Sequence, residues 1–276
     1  MFGVVGHTEW VDFAVCARLP DPGEILHGRE VFSVAGGGGA VAAVQLHRLA
    51  GEGVFFLTAL GDDDAGSWAR DDLLRRGLEL EAARPLRTPQ RRAFTFLTDD
   101  HERTITVLGE RLVPERERDG NLGWERCEGA DAIYFTGGDA AALRAARGAR
   151  VLVATPRASE AIHAAGVELD VLVASATDPG EEVEAFDPPP RCVVLTAGAD
   201  GGRWTGADGA TGGWDAAPLP GPAVDAYGCG DSFAAGLTYG LGAGMAITDA
   251  LELAARCGAH CLTGRGPYGA QLTLSR

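Results

Sequence analysis

Lysine is absent from this 276-residue chain, so all 24 of its basic residues are arginine. The absence excludes mechanisms that need a lysine side chain: the P-loop lysine, the strand lysine of protein kinases and Schiff-base chemistry. Asn121 is the only asparagine. No apolar run approaches the ~20 residues of a membrane span, and the first residues lack the charged start and apolar stretch of a signal peptide. We therefore expect a cytoplasmic protein without a membrane partner.

Positive charge is also scarce, because 39 acidic residues give the chain a net charge of −15. A nucleic acid partner is excluded on this ground, since phosphate backbones bind basic surfaces. Any site for an anion must then be local, built from backbone dipoles or a few arginines. The six cysteines are scattered without a Cys-x-x-Cys pair, which argues against a disulfide framework or a zinc site.

Short apolar, β-branched runs alternate with helical patterns along the chain. The predicted strands are residues 2–5, 54–60, 132–135, 151–154, 171–174 and 193–196. The predicted helices are residues 40–50, 65–76, 140–147 and 159–165. Strands that are apolar throughout are typical of a sheet covered on both faces. The alternation predicts one α/β domain over residues 1–276, with a doubly wound, mainly parallel sheet.

Two segments, residues 11–34 and 91–110, break this alternation. Residues 93–98 and 105–108 are predicted to form a hairpin around the polar turn 99–102. We expect both segments to leave the main sheet and form a small β layer over its edge. Residues 187–190 and 206–213 are predicted to be surface loops, because they are rich in proline and glycine.

Residues 225–233 carry the strongest chemical signal, a glycine turn that runs into an amphipathic helix. The N–H groups of Gly228, Cys229 and Gly230 would form an anion hole at the helix N-terminus without any lysine. Asp231 in the first helical turn suits a base that deprotonates a hydroxyl attacking a phosphate. The same dipole is expected to lower the pKa of the Cys229 thiol. The alternative is a plain helix cap after a tight turn.

A second glycine-rich turn, Gly36, Gly37, Gly38 and Gly39, opens the helix at residue 40. Glycines let a substrate approach the backbone closely. Taken alone, the turn is also a loose match to a dinucleotide-binding motif. An oxidoreductase is therefore an alternative, although it leaves residues 225–233 unexplained.

The 225–233 segment resembles the C-terminal signature of the ribokinase-like (PfkB) carbohydrate kinase family, Asp-Thr-x-Gly-Ala-Gly-Asp-x-Phe. Five positions match, and Ala226 and Cys229 replace the usual Thr and Ala. Residues 36–43 are similar to the N-terminal signature Gly-Gly-x-x-x-Asn-x-Ala, with Val41 in place of Asn. Residues 196–201 resemble the Thr-x-Gly-x-x-Gly nucleotide loop. The resemblance covers nearly the whole chain.

Membership of this family implies transfer of the ATP γ-phosphate to a hydroxyl of a sugar or sugar-like molecule, with Asp231 as the base. It implies a β lid over the sugar site, which also allows a homodimer through the lid. Three alternatives stay open: a nucleoside kinase of the same fold, a degenerate member that binds ligand without turnover, and the oxidoreductase.

The resemblance also assigns roles around Asp231. Glu9 or Asp12, together with Gly36–Gly39, would bind the acceptor. Thr196, Gly198 and Gly201 would bind the nucleotide. The family's Asn-x-x-Glu magnesium motif is replaced here by Ser175 and Asp178, with Glu181 as a further carboxylate, each acting through water. Asp225, Gly264 and Gly266 are the expected ligands if the enzyme uses potassium.

Overall fold

The computed structural model describes residues 1–99 and 103–274. Its strands, in chain order, are β1 (Phe2–Val5), β2 (Glu9–Val15), β3 (Glu30–Gly36), β4 (Val54–Ala59), β5 (Glu79–Ala83), β6 (Arg92–Leu97), β7 (Arg103–Leu108), β8 (Ala132–Phe135), β9 (Val151–Ala154), β10 (Val171–Ser175), β11 (Cys192–Thr196), β12 (Gly202–Gly206) and β13 (Thr211–Trp214). The α-helices are α1 (Gly38–Ala50), α2 (Asp64–Arg75), α3 (Ala140–Ala146), α4 (Ser159–Ala165), α5 (Cys229–Gly242) and α6 (Ile247–Leu262).

Nine strands form the main sheet, in the order β13-β12-β11-β10-β9-β8-β1-β4-β5. Seven neighbouring strands of this sheet run parallel: β11, β10, β9, β8, β1, β4 and β5. At one edge, β12 pairs antiparallel with β11, and β13 pairs antiparallel with β12. Each of the six predicted strands is one of these parallel strands. The predicted α/β class with a mainly parallel sheet is therefore confirmed.

The sheet separates two apolar layers, because successive side chains of a strand point to opposite faces. Val4 and Phe56 pack with α1 and α5 on one face. Val5 and Phe55 pack with α3 and α4 on the other. Burial on both faces explains why these strands are apolar throughout rather than alternating. No helix in the two described ranges is long and apolar enough to cross a bilayer.

A second, four-stranded sheet has the order β3-β2-β6-β7 and forms the lid. The β6–β7 hairpin pairs as predicted, from Arg92 opposite Leu108 to Leu97 opposite Arg103. Its predicted polar turn falls partly on residues 100–102, which lie outside the described residues. On the inner face, the Phe13 ring stacks on Phe32 with centroids 4.6 Å apart. Phe13 also meets the edge of Tyr227 at 5.0 Å, so the lid packs on the start of α5.

The predicted surface loop at residues 206–213 is wrong in part, because β13 begins at Thr211 and completes a hairpin with β12. Glycines hid this strand. A Cβ on Gly202 would lie 2.3 Å from the Trp214 ring, and one on Gly212 would lie 2.6 Å from Nε1 of Trp204. These glycines therefore make room for two tryptophan rings across the hairpin, a role that glycine has in strands where groups approach closely.

Candidate active site

The candidate functional side chains lie at the carboxyl ends of the parallel strands, the usual ligand-binding edge of a doubly wound sheet. His7 follows β1, Thr136 follows β8 and Arg157 follows β9. Ser175 and Thr196 end β10 and β11, and residues 176–181 and 197–201 follow these two strands. The N-terminus of α5 and the lid complete the surroundings.

The anion turn, defined here as residues 225–231, has the conformation that its glycines predict. Gly228 has φ +84° and is the N-cap of α5, where a Cβ would lie 2.9 Å from Cγ1 of Val41. A side chain on Gly230 would meet no heavy atom within 4 Å. The turn thus borders open space at a helix N-terminus, which is a favourable place for an anion. The N–H of Cys229 makes one long hydrogen bond, to the Ala226 carbonyl at 3.5 Å.

Asp225 holds the anion turn to the segment around Gly266. Its Oδ1 accepts the N–H of Tyr227 at 2.9 Å, and its Oδ2 accepts the N–H of Gly266 at 2.6 Å. Burial raises the pKa of Asp225, and these two N–H groups oppose that rise. A structural role of Asp225 is thereby accounted for without an ion. The potassium site at Asp225, Gly264 and Gly266 stays a prediction.

Asp231 lies where the anion turn meets the glycine-rich turn. A Cβ on Gly38 would be 2.9 Å from Oδ1 of Asp231, so only a glycine leaves the carboxylate free at this point. Burial, followed by the nearby charge of Glu181, raises the pKa of Asp231 to about 6. Arg157 and Arg103 act in the opposite direction. The carboxylate is thus more basic than an exposed aspartate, yet mostly ionised at neutral pH.

The glycine-rich turn lies between Asp231 and the residues after β1. Gly37 has φ +84°, and its N–H donates to the Tyr227 hydroxyl at 3.3 Å. A Cβ on Gly37 would lie 3.2 Å from Cγ of Glu9, and one on Gly39 would lie 2.7 Å from the His7 carbonyl oxygen. The structure therefore brings Gly36–Gly39 beside both Asp231 and Glu9.

Of the two predicted acceptor carboxylates, Glu9 faces the site and Asp12 does not. Successive residues of β2 alternate between faces, so Glu9 shares the inner face with Phe13. Glu9 is 7% exposed, and its Oε1 lies 2.8 Å from Nε of Arg91. Burial raises the pKa of Glu9 even though Arg91 opposes the shift. Asp12 is on the outer face, where Ser33 and Arg92 bind its carboxylate, and this geometry argues against an acceptor role.

The predicted magnesium residues lie together, but an arginine binds both carboxylates. Arg157 donates from Nε to Oε1 of Glu181 at 2.8 Å and also contacts Asp178. The N–H of Ser175 donates to Oε2 of Glu181 at 2.8 Å. Within the described residues, no group of three acidic, His or Cys side chains has metal-site geometry. Hard oxygen donors next to a phosphate site fit magnesium that keeps most of its waters.

The predicted nucleotide loop follows β11. Thr196 donates from Oγ1 to the Ala174 carbonyl at 3.3 Å. Gly198 and Gly201 have φ +58° and +72°, and a Cβ on Gly201 would be 2.0 Å from the Trp214 carbonyl oxygen. A cavity of about 470 Å³ lies next to this contact, between residues 213–218 and α6. Its Trp214 ring stacks at 5.5 Å on Phe233 of α5.

Comparison with known proteins decides the family. Residues 3–155 and 140–273 match the family model for pfkB family carbohydrate kinases. The chain belongs to this family. It is 30% identical, over 268 residues, to the ATP-dependent ribose-1-phosphate kinase of Halopiger xanaduensis, and the match covers 92% of this chain and 89% of that protein. The prediction of a carbohydrate kinase is confirmed, and the oxidoreductase alternative finds no support.

Solved structures bear out the kinase fold. The ribokinase of Giardia lamblia superposes with a TM-score of 0.80 at 15% identity, covering 96% of this chain and 94% of that one. The ribokinase of Arabidopsis thaliana, complexed with ribose and ATP, superposes with a TM-score of 0.72 at 20% identity. The match covers 96% of this chain and 93% of that one. At these identities the likeness establishes the ribokinase fold alone.

The sequence does not predict the arginine cluster of this kinase, defined here as Arg91, Arg103, Arg111 and Arg157. Arg103 on the lid donates to the Ala226 carbonyl at 3.0 Å, which places it at the anion turn. Arg91, Arg111 and Arg157 come from separate segments without a common motif. The one available signal was the position of Arg157, three residues after a predicted parallel strand, because ligands bind at that edge.

One chemical expectation about the anion turn was wrong. The pKa of the Cys229 thiol is raised, chiefly by its hydrogen bond with the Cys261 thiol and then by burial. These two effects outweigh the helix dipole, which would favour the thiolate. Cys229 is thus expected to be a poorly reactive thiol.

Proposed function

We propose that this kinase transfers the γ-phosphate of ATP to a hydroxyl of a sugar or sugar-like molecule, with Asp231 as the general base. The position of Asp231 carries the proposal, because its carboxylate lies against Gly38 and directly beside the anion turn. The acceptor oxygen bonds to the γ-phosphorus while the bond to the β–γ bridging oxygen breaks. The acceptor's proton passes to Asp231, and ADP leaves with the bridging oxygen.

The pKa of Asp231 supports its role as a base. A carboxylate with a pKa of about 6 is a better proton acceptor than an exposed aspartate, and it is still available at neutral pH. Burial, the first cause of the shift, is also what a site needs to exclude water from the transferring phosphoryl group. The lid, which reaches the anion turn through Arg103 and Phe13, is suited to exclude water in this way.

The donor side follows from the segments around the anion turn. We assign the N–H groups of Gly228, Cys229 and Gly230 to the transferring phosphoryl group. Residues 196–201 and the cavity of about 470 Å³ beside Trp214 are assigned to the nucleotide. Ser175, Asp178 and Glu181 would hold magnesium through water, and the ion when bound would neutralise charge on the nucleotide phosphates.

The acceptor is proposed to lie over Gly36–Gly39, with Glu9 binding its hydroxyls. Because the Halopiger relative is an ATP-dependent ribose-1-phosphate kinase, ribose and its phosphate esters are the first compounds to assay. A homodimer through the lid is a further part of the proposal. Its support is the outer face of the lid, which exposes Val31 by 72%, Leu108 by 56% and Phe94 by 38%. The cytoplasmic location stays a prediction.

The test is ADP release from ATP and magnesium over a panel of sugars, sugar phosphates and nucleosides. We expect release that depends on both magnesium and an acceptor, with a phosphorylated product detected by mass spectrometry. A nucleoside that outperforms every sugar would favour the nucleoside kinase alternative. Tight ATP binding without ADP release for any acceptor would favour the degenerate member and contradict the proposal.

A further inference from the structure

Arg111 is a half-buried cation without a carboxylate partner in the described part of the chain. Its guanidinium donates to the Thr136 carbonyl at 2.6 Å and to the Arg157 carbonyl at 3.0 Å. Its remaining contact is Nδ1 of His7 at 3.0 Å. All three partners are uncharged groups if His7 is neutral, so the charge of Arg111 has no direct compensation.

The surroundings of Arg111 make this arrangement more unfavourable still. Burial, and then the like charges of Arg91 and Arg157, lower the pKa of Arg111, and the charge of Glu9 opposes this shift only in part. Burial, and then the charges of Arg111, Arg91 and Arg157, lower the pKa of His7 well below its usual value. His7 is therefore neutral at physiological pH, and its Nδ1 accepts from Arg111. A positive potential is thus fixed in place before any ligand binds.

The neighbouring carboxylates are already bound by other arginines. Glu9 lies 2.8 Å from Nε of Arg91, and Arg157 holds Asp178 and Glu181. No hydrogen bond to a described residue uses the two terminal amino groups of Arg91. Arg91 therefore keeps its two terminal amino groups for a further anion on the same side of the glycine-rich turn. Arg111 already uses three of its N–H groups, so it contributes its positive charge and its remaining N–H groups.

The position of Arg111 points to the acceptor rather than to the nucleotide. Its side-chain partner, His7, follows β1 and lies next to the glycine-rich turn, where a Cβ on Gly38 would be 3.5 Å from Cε1 of His7. The same Cβ would be 2.9 Å from Oδ1 of Asp231. Only one imidazole ring and one glycine thus lie between Arg111 and the proposed base Asp231. A single small acceptor is large enough to span that separation. The nucleotide phosphates have the anion turn and Arg157.

We infer that Arg111, together with Arg91, forms a second anion subsite that binds a phosphate ester carried by the acceptor. The substrate class is then a phosphorylated sugar, and the product carries two phosphate groups. The terminal amino groups of Arg91 suit this ligand, because planar guanidinium donors bind phosphate oxygens in pairs, and Arg111 adds a second positive charge. The identity of the acceptor rests on the proposed function, whereas the binding of a phosphate ester does not require turnover.

Calorimetric titration of the nucleotide-free protein tests this inference. The ligands are ribose, ribose 1-phosphate, ribose 5-phosphate and inorganic phosphate. We expect at least one ester to bind ~10-fold or more tightly than ribose, as one charge-assisted contact provides. Arg111→Gln should abolish that preference while the Kd for ATP changes less than about threefold.

Arg144→Gln is the matched control, because Arg144 also donates to two main-chain carbonyls, those of Ala164 and Ala165, away from the site. It should leave the preference for the ester unchanged. Arg111→Lys keeps the positive charge and should retain part of the preference for the ester over ribose. It replaces Arg111→Gln in the titration if a thermal melt shows that Arg111→Gln is unfolded.

Equal affinity of the wild-type protein for ribose and both esters would overturn the inference. A loss of affinity in Arg111→Gln that is the same for ribose and for the ester would also overturn it. The second result would assign Arg111 a structural role only. Inorganic phosphate that binds as tightly as the esters, with or without Arg111, would also contradict it. A clear preference for the ester without turnover of any acceptor would leave the subsite standing and refute the proposed kinase reaction instead.

Discussion

The proposed donor side and the proposed acceptor side of the site are built to bind anions in different ways. On the donor side, the anion turn presents backbone N–H groups at the start of α5, and the buried Asp225 fixes its shape through two hydrogen bonds. On the acceptor side, Arg91 and Arg111 supply full positive charges from side chains, and Glu9 and His7 hold them in position. Asp231 lies between the two sides.

The difference has energetic consequences. Backbone N–H groups are fixed by the fold, so an anion that binds them orders few additional side chains. Arginines held close together repel one another, and a bound anion relieves that repulsion. The donor side should therefore depend on backbone geometry and tolerate changes of charge, whereas the acceptor side should depend on individual arginines.

The largest expected effect comes from removing the base between the two sides. Asp231→Asn is isosteric and suits the first turn of a helix, so α5 and the anion turn should keep their shape. The amide cannot accept the acceptor's proton, and general-base removal typically lowers kcat by ~10²–10⁴. Single-turnover kinetics measure the rate of phosphoryl transfer, and a calorimetric titration measures the affinity for ATP. The rate should fall steeply, whereas the affinity should change only a few-fold.

Turnover of Asp231→Asn within a few-fold of the wild type would refute the assignment of Asp231 as the base. Asp208→Asn is a suitable control for the substitution itself. Asp208 is exposed in the turn between β12 and β13, where its Oδ1 accepts the N–H of Ala210 at 3.0 Å. This variant should retain normal kcat.

A smaller effect is expected when the glycine-rich turn is filled. In Gly38→Ala, the new Cβ would lie 2.9 Å from Oδ1 of Asp231, so either the carboxylate or the turn has to move. We expect kcat/KM for the acceptor to fall ~10–100-fold, since small misplacements of reacting groups are costly. Because the anion turn is a separate segment, the Kd for ATP should stay within about threefold.

Gly221→Ala is the matched control, because a Cβ at Gly221 would meet no heavy atom within 4 Å. An equal loss of ATP affinity in Gly38→Ala would show that the two sides are not separable. Wild-type kcat/KM in that variant would contradict the close approach of Asp231 to the turn.

The same contrast explains how much could be predicted from the sequence. The proposed donor side is contiguous, so residues 225–233 predicted its turn and the helix that follows, and the apolar strands predicted the sheet. Glu9 and Asp12 could not be separated, because residues 11–34 were predicted only as part of a small β layer, without a strand register that would define an inner face. Arg91 and Arg111 meet only through folding of distant segments, and nothing local marks either one. Cys229 was misjudged because its partner Cys261 is 32 residues away along the chain.

The pH dependence of turnover tests the electrostatics of Asp231. Its pKa of about 6 means that the base is ionised above that pH and protonated below it. We expect kcat/KM to be level above pH ~7 and to fall about tenfold per unit below pH ~6. Ribose should be the acceptor in this assay, because a phosphate ester also titrates near pH ~6.

The acidic limb should disappear from the residual rate of Asp231→Asn. A limb that persists there would belong to another group, and Glu9 is the first candidate because burial raises its pKa too. A wild-type limb centred near pH ~4, the value of an exposed aspartate, would show that Asp231 is not desolvated as the structure indicates.

The smallest expected effect concerns Tyr227, which joins the two sides. Tyr227 belongs to the anion turn, and its hydroxyl accepts the N–H of Gly37 at 3.3 Å. Tyr227→Phe keeps the ring that packs against Phe13 and removes one long hydrogen bond, worth about 1 kcal/mol. We expect KM for the acceptor to rise less than ~10-fold, with kcat and the Kd for ATP nearly unchanged.

Tyr268→Phe provides the comparison, since the buried Tyr268 hydroxyl donates to the Ala35 carbonyl at 2.7 Å without touching the anion turn. Both variants should lose a similar amount of stability in urea unfolding, but only Tyr227→Phe should change KM. If Tyr227→Phe weakened ATP and acceptor binding equally, the two sides would be coupled through this hydroxyl, and they could not be treated as separate.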